Sequence, residues 1–148
     1  MINSDYPNIA SDIYAFAGGR GSTSSGGYGS FAFGYETTAS GRGSHAEGRG
    51  NVASGNMAHA EGNNTISSGT ASHTEGYGTF ATAAYAHAEG KGCRAEGIGA
   101  HVEGGMGSAI GASSHAEGGM ISINIYPVGN ANTTSYTATL DLNTFTES

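Results

Sequence analysis

The chain has 148 residues, of which 27 are glycine and none is tryptophan, and its formal net charge is −7. This length fits one domain or one repeat array, and the five scattered basic residues argue against a nucleic-acid partner. One cysteine, Cys93, excludes an intrachain disulfide, and no apolar run is long enough for insertion into a membrane.

Residues 1–23 are predicted to be an N-terminal cap or attachment segment. Their aromatic and apolar stretch, residues 11–17, falls outside the repeat that follows. Phe31 and Phe33 lie in the first repeat unit, where they predict a bulky plug at this end. Residues 1–17 lack the basic and apolar regions of an export signal, so we expect no leader here.

Residues 24–119 are predicted to be a repeat array. Glycine recurs at every seventh position from Gly27 to Gly118, with Ala83 as the one exception, and the residue two positions earlier is nearly always small. Alternate copies read His-x-Glu-Gly, so the full period is 14 residues. The six copies supply these histidines and glutamates: His45, Glu47, His59, Glu61, His73, Glu75, His87, Glu89, His101, Glu103, His115 and Glu117.

This period predicts an all-β fold, a parallel β-roll or β-solenoid of about seven 14-residue coils. Collagen needs glycine at every third residue, and one glycine in each heptad is costly in an α-helix. In a short strand the side chains alternate, so alanine points inward while histidine and glutamate point outward. The glycine then forms a corner with positive φ. Because so narrow a rod has little apolar interior, we expect symmetric association with other copies. We expect it to be threefold, although the sequence period itself does not give this number.

Residues 120–148 are predicted to be a C-terminal β segment. Ile121, Ile123 and Ile125 alternate with polar residues, as they do in a strand. Pro127 and residues 129–132 predict a turn, and residues 135–145 a further β segment.

The His-x-Glu series has two chemical interpretations. Both side chains are metal ligands, and a spacing of two residues places them on one face of a strand. Six near-identical copies nevertheless form a ladder, whereas a catalytic site needs one group of unlike residues in a pocket. We therefore predict a structural ladder without catalytic, cofactor or metal residues, in which histidines donate to glutamates within or between subunits. This pairing predicts pH sensitivity near the histidine pKa of ~6.5. A metal ring of symmetry-related histidines is the alternative, which elemental analysis distinguishes.

Other chemistry is not indicated by the sequence. A phosphate-binding loop, a calcium nonapeptide repeat and a regular Thr-x-Thr ice-binding face are all missing from it. We therefore do not expect an enzyme.

Residues 43–48 and 51–55 carry a resemblance to a known family. They resemble the head repeats of trimeric autotransporter adhesins, the YadA-like left-handed parallel β-roll. Histidine and glutamate replace the apolar pair that usually flanks alanine there. The alternation of Ser-His-Ala-Glu-Gly with Ala-Ser-Gly looks more like the shafts of phage and prophage tail-fibre or appendage proteins.

The resemblance implies a homotrimeric, left-handed roll at the surface of a virion or similar particle. Its implied function is that of a structural or receptor-binding segment of a phage-like tail fibre or contractile-injection appendage, which attaches to a host surface. The implied partners are other tail or baseplate proteins and a cell-surface glycan or protein receptor. The alternative is the head of a bacterial trimeric adhesin at the cell surface, together with other adhesin proteins.

Overall fold

The structure, a computed structural model, describes residues 6–119 and the backbone of Ser122–Ile123. Every regular element in these residues is a β-strand, and successive strands alternate between two parallel sheets. The chain therefore crosses from one sheet to the other at each corner. This confirms the predicted all-β parallel solenoid, with about eight turns rather than seven. Within the described ranges, none of the chain forms a helix of the length and hydropathy needed to span a membrane.

The strands are short, and each coil contributes one strand to each of the two sheets. The nine-stranded sheet contains β1 (Ile9–Ala10), β3 (Thr23–Ser24), β5 (Thr38–Ala39), β7 (Val52–Ala53), β9 (Ile66–Ser67), β11 (Phe80–Ala81), β13 (Arg94–Ala95), β15 (Ser108–Ala109) and β17 (Ser122–Ile123). The eight-stranded sheet contains β2 (Phe16–Arg20), β4 (Phe31–Tyr35), β6 (His45–Arg49), β8 (His59–Asn63), β10 (His73–Thr74), β12 (His87–Ala88), β14 (His101–Gly105) and β16 (His115–Gly119).

The register between coils follows the 14-residue period of the sequence. His45 pairs with His59 and Glu47 with Glu61, so identical residues lie side by side. One coil is longer, because Phe16 pairs with Phe31 fifteen positions later. The additional residue lies in the corner at residues 26–30, between strands that keep their pairing. Consequently Gly26, and not Gly27, occupies the position equivalent to Gly41.

The N-terminal boundary differs from the prediction. The two sheets begin at Ile9 and Phe16 rather than at residue 24, because β1 and β2 continue the same parallel register. Phe31 and Phe33 form no plug: they lie on the outer face of β4, and Ala32 between them is the buried residue. Of the predicted C-terminal segment only Ser122–Ile123 is described, and it pairs with β15. The other predicted elements of residues 120–148 lie outside the described residues.

The interior is filled by columns of small side chains. Its largest fully buried residue is Val102. The predicted inward alanines are present, but polar residues that immediately precede the strands are buried as well. One polar column runs along the interior of the array and consists of Ser22, Thr37, Asn51, Thr65, Thr79 and Cys93.

The polar column satisfies backbone groups inside the roll. The Thr65 hydroxyl donates to the Glu61 carbonyl at 3.1 Å, and Thr79 donates to the Glu75 carbonyl in the same way. Asn51 donates to the carbonyls of Glu47 and Gly62 and accepts from the Thr65 amide. Buried backbone groups need such partners, because an unpaired one costs about as much as a lost hydrogen bond.

The repeating glycines have two different structural reasons. In the His-x-Glu-Gly half, Gly76 has a φ of 98°, and a Cβ there would overlap the backbone of Gly90. In the other half Gly55 has no positive φ, yet a Cβ would overlap the Gly69 carbonyl in the next coil. The predicted positive φ at the corner glycine therefore holds for one half only.

Candidate functional site

The six histidines form one continuous stack on the outer face of the eight-stranded sheet. The centroids of neighbouring imidazole rings are 4.7 to 4.8 Å apart. From His59 onward neighbouring ring planes differ by 4° to 6°, and those of His45 and His59 differ by 27°. We call this stack the His row. It arises because in-register parallel strands place identical side chains one strand spacing apart.

Two phenylalanines extend the His row toward the N-terminus. Phe31 forms a T-shaped pair with His45 at a centroid distance of 4.7 Å and stacks on Phe16 at 4.8 Å. Their role was missed in the sequence, although the signal was present. Phe31-Ala32-Phe33-Gly34 has the same spacing as a His-Ala-Glu-Gly unit, with phenylalanine at both outward positions.

The six glutamates that follow two residues after the histidines form a parallel row, which we call the Glu row. An open groove along this row is lined by four glutamates and three glycines: Glu75, Glu89, Glu103, Glu117, Gly90, Gly104 and Gly118. The structure therefore brings all twelve predicted ladder residues together on one face as two adjacent rows. It does not converge them on a single pocket.

The stack makes protonation of the imidazoles in the His row unfavourable. Burial lowers the pKa of His59 and of His87, and the neighbouring histidines lower both pKa values further. A group whose pKa is lower in the folded chain than in the unfolded one destabilises the fold when it is protonated. These two histidines therefore favour folding above their ordinary pKa, and this contribution is lost as the pH falls.

The glutamates shift one another's pKa values, upward at two positions and downward at two others. Hydrogen bonds with Glu103 and Glu75 raise the pKa of Glu89 to about 7. The pKa of Glu61 is raised first by burial and then by a hydrogen bond with Glu75. The same contacts lower the pKa values of Glu75 and Glu103. Neighbouring carboxyl groups thus share protons along the row, because adjacent like charges repel.

The histidines contact glutamates without forming hydrogen bonds to them. His73 Nε2 lies 3.6 Å from Glu61 Oε1, and His87 Nε2 lies 3.8 Å from Glu89 Oε2. Five Nε2 atoms are inaccessible to solvent and have no hydrogen-bond partner: those of His45, His59, His73, His87 and His101. The predicted donation from histidine to glutamate is therefore not formed within one chain at these five residues.

Arginine does not neutralise the Glu row. The guanidinium groups of Arg20, Arg42 and Arg94 lie over the rings of Tyr6, Tyr28 and Phe80, with 4.2 to 4.5 Å from the guanidinium carbon to the ring centroid. In the described part of the chain, Arg94 with Glu96, at 3.1 Å, is the one pair between a Lys or Arg side chain and a carboxylate. Glu96 lies outside the Glu row, directly after β13 of the other sheet.

A substitution in the Glu row tests the sharing of protons. The raised pKa of Glu89 means that its carboxyl stabilises the fold below the ordinary glutamate pKa and that this contribution is lost as the pH rises through about 7. Glu89→Gln resembles the protonated acid at every pH. We expect the variant to gain stability over the natural chain between pH 5 and pH 8, by about 1 kcal/mol after allowance for solvent screening. Urea unfolding in the presence of a chelator measures this difference.

Glu36→Gln is the matched control, because it removes the same charge at a corner outside the Glu row. It reports the effect of net charge alone. A Glu89→Gln stability difference that does not change between the two pH values would show that carboxyl groups do not share protons in the folded chain.

Comparison with known proteins does not identify a family for this chain. No protein-family model matches the chain, and its sequence matches no curated protein.

Proposed function

We propose that the chain is a structural segment of a trimeric fibre, a left-handed β-roll that belongs to a phage-like tail fibre or contractile-injection appendage and contributes to attachment at a host surface. The observation that carries this proposal is the unbroken register of the coils. The same outward residue types repeat at one strand spacing along the array, which suits a rod better than a binding pocket.

The composition of the interior supports association with further copies. No fully buried side chain in the described residues is larger than valine, so one chain buries little apolar surface for its length. At the same time half-buried apolar side chains, Val52, Ile66 and Phe80, follow one another on the outer face of the nine-stranded sheet. A second copy carries rows with the same spacing, so it can match such a row along its whole length.

The direct test is the mass of the purified chain in solution. Analytical ultracentrifugation is expected to give three times the mass of one chain, and electron microscopy to show short rods. A folded monomer with a cooperative unfolding transition would contradict the proposal.

The adhesin alternative is distinguished by genomic context. Adjacent genes for tail and baseplate proteins would support the fibre. A stalk and membrane anchor encoded in the same reading frame would support the head of a surface adhesin.

A further inference from the structure

Two groups of side chains place one imidazole nitrogen between two carboxylates. Glu61, His73 and Glu75 form the first group, and one ligand atom from each lies within 4.8 Å of the other two. Glu89, His101 and Glu103 form the second group two coils further along, with the same limit on distance. The two groups share no residue. One ion can therefore occupy each group without competing for a ligand residue.

Both groups contain atoms that lack a partner. The Nε2 atoms of His73 and His101 are inaccessible to solvent and make no hydrogen bond. A buried polar atom in this state costs free energy, and a ligand that pairs with it recovers that cost. In the described residues the structure places no Lys or Arg side chain within ion-pair distance of the carboxylates of either group.

We propose that Glu61–His73–Glu75 and Glu89–His101–Glu103 each bind one divalent transition-metal ion. An ion of this class satisfies the imidazole nitrogen and also neutralises the neighbouring carboxylates. Zinc binds imidazole and carboxylate together, whereas magnesium and calcium prefer oxygen ligands alone.

The distances are compatible with zinc after small side-chain movements. Ligand atoms of a tetrahedral site with bonds of ~2.0 Å lie about 3.3 Å apart. His73 Nε2 and Glu61 Oε1 are already 3.6 Å apart. The glutamates lie on the outer face, where rotation of their side chains can bring the carboxylates closer without a shift of the backbone. Water can occupy the fourth position.

Two similar groups fit an ion less well. In His45–Glu47–His59 the rings are stacked with planes 27° apart, so their nitrogen lone pairs point side by side rather than at one centre. Glu103–His115–Glu117 shares Glu103 with the second proposed site, so the two cannot be filled independently. His87 belongs to none of these groups, although it is stacked like His73.

This difference between two equally stacked histidines gives the matched test. His73→Phe and His87→Phe both keep an aromatic ring at the strand spacing, as Phe16 and Phe31 do naturally, and each removes one imidazole. The full chain, stripped with a chelator, is titrated with zinc chloride by calorimetry in excess magnesium. Circular dichroism and thermal unfolding establish that each variant is folded.

We expect two zinc ions for each natural chain, one for His73→Phe and two for His87→Phe, together with a rise in the unfolding temperature of the natural chain on zinc addition. Displacement of zinc by magnesium would overturn the proposal, as would equal zinc stoichiometry in all three proteins or equal loss in both variants. Because the ions are counted for each chain, the result is separate from the mass measurement that tests the fibre.

Discussion

Gly76→Ala is expected to abolish the folded state or to lower its free energy of unfolding by more than about 4 kcal/mol. Two causes act together at this position. The backbone of Gly76 has a φ of 98°, a value that residues other than glycine rarely adopt. A Cβ would also overlap the carbonyl group of Gly90 in the next coil. The coils cannot separate locally, because β10 before this corner and β11 after it are both paired in register with the neighbouring coils.

Gly78→Ala separates the two causes. Gly78 lies on the same corner with a φ of 62°, but a Cβ there meets no atom within 4 Å. Only the left-handed backbone then opposes alanine, and the expected loss is about 1 kcal/mol. Thermal and urea unfolding measure both variants. Equal losses would mean that the close approach between coils does not determine the glycine at position 76.

Asn51→Leu is expected to lower the free energy of unfolding by about 3 to 5 kcal/mol. Leucine is similar to asparagine in size but can make none of its hydrogen bonds. Asn51 donates to two carbonyls and accepts from the Thr65 amide, all inside the roll. Leucine would leave these three backbone groups without their side-chain partner. Asn51 is also fully buried, so the penalty is not relieved by water.

Asn51→Thr is the control for this prediction. Threonine occupies the equivalent position at Thr65 and Thr79, where its hydroxyl donates to the carbonyl four residues earlier. We expect this variant to lose about 1 kcal/mol at most, since one of the hydrogen bonds is restored. Urea unfolding of the two variants beside the natural chain gives the difference. If leucine is tolerated as well as threonine, the polar column contributes volume rather than hydrogen bonds.

The architecture was predictable because one physical constraint repeats along the chain. A small residue and a glycine at a fixed spacing allow only a narrow coil, and the 14-residue period determines which residues become neighbours. The first coils were missed for a physical reason: Phe16 and Phe31 occupy the place of histidine, and their spacing is fifteen residues. Aromatic rings of either kind stack at the strand spacing, so the structural equivalence does not require chemical identity.

The polar column and the corners were harder to predict. Thr37, Asn51 and Cys93 share little besides modest size, so their common burial follows from the coil and not from a motif. The left-handed corner positions are occupied by residues as different as Met57, Ala71 and Tyr85. The contacts between the His and Glu rows depend on side-chain rotamers, which a repeat period does not specify.

The fifteen-residue coil shows that a corner can become longer while the strands on either side keep their pairing. Residues 26–30 contain one residue more than the corresponding corners, yet Ala17 still pairs with Ala32 and Ser24 with Ala39. A corner of this kind can therefore gain sequence without disturbing the interior. Peptides inserted at Gly29, beside which a Cβ meets no atom within 4 Å, would be displayed at the edge of an unchanged rod. This corner is thus a site where the surface sequence can vary, because the pairing of the strands on either side holds the coils in place.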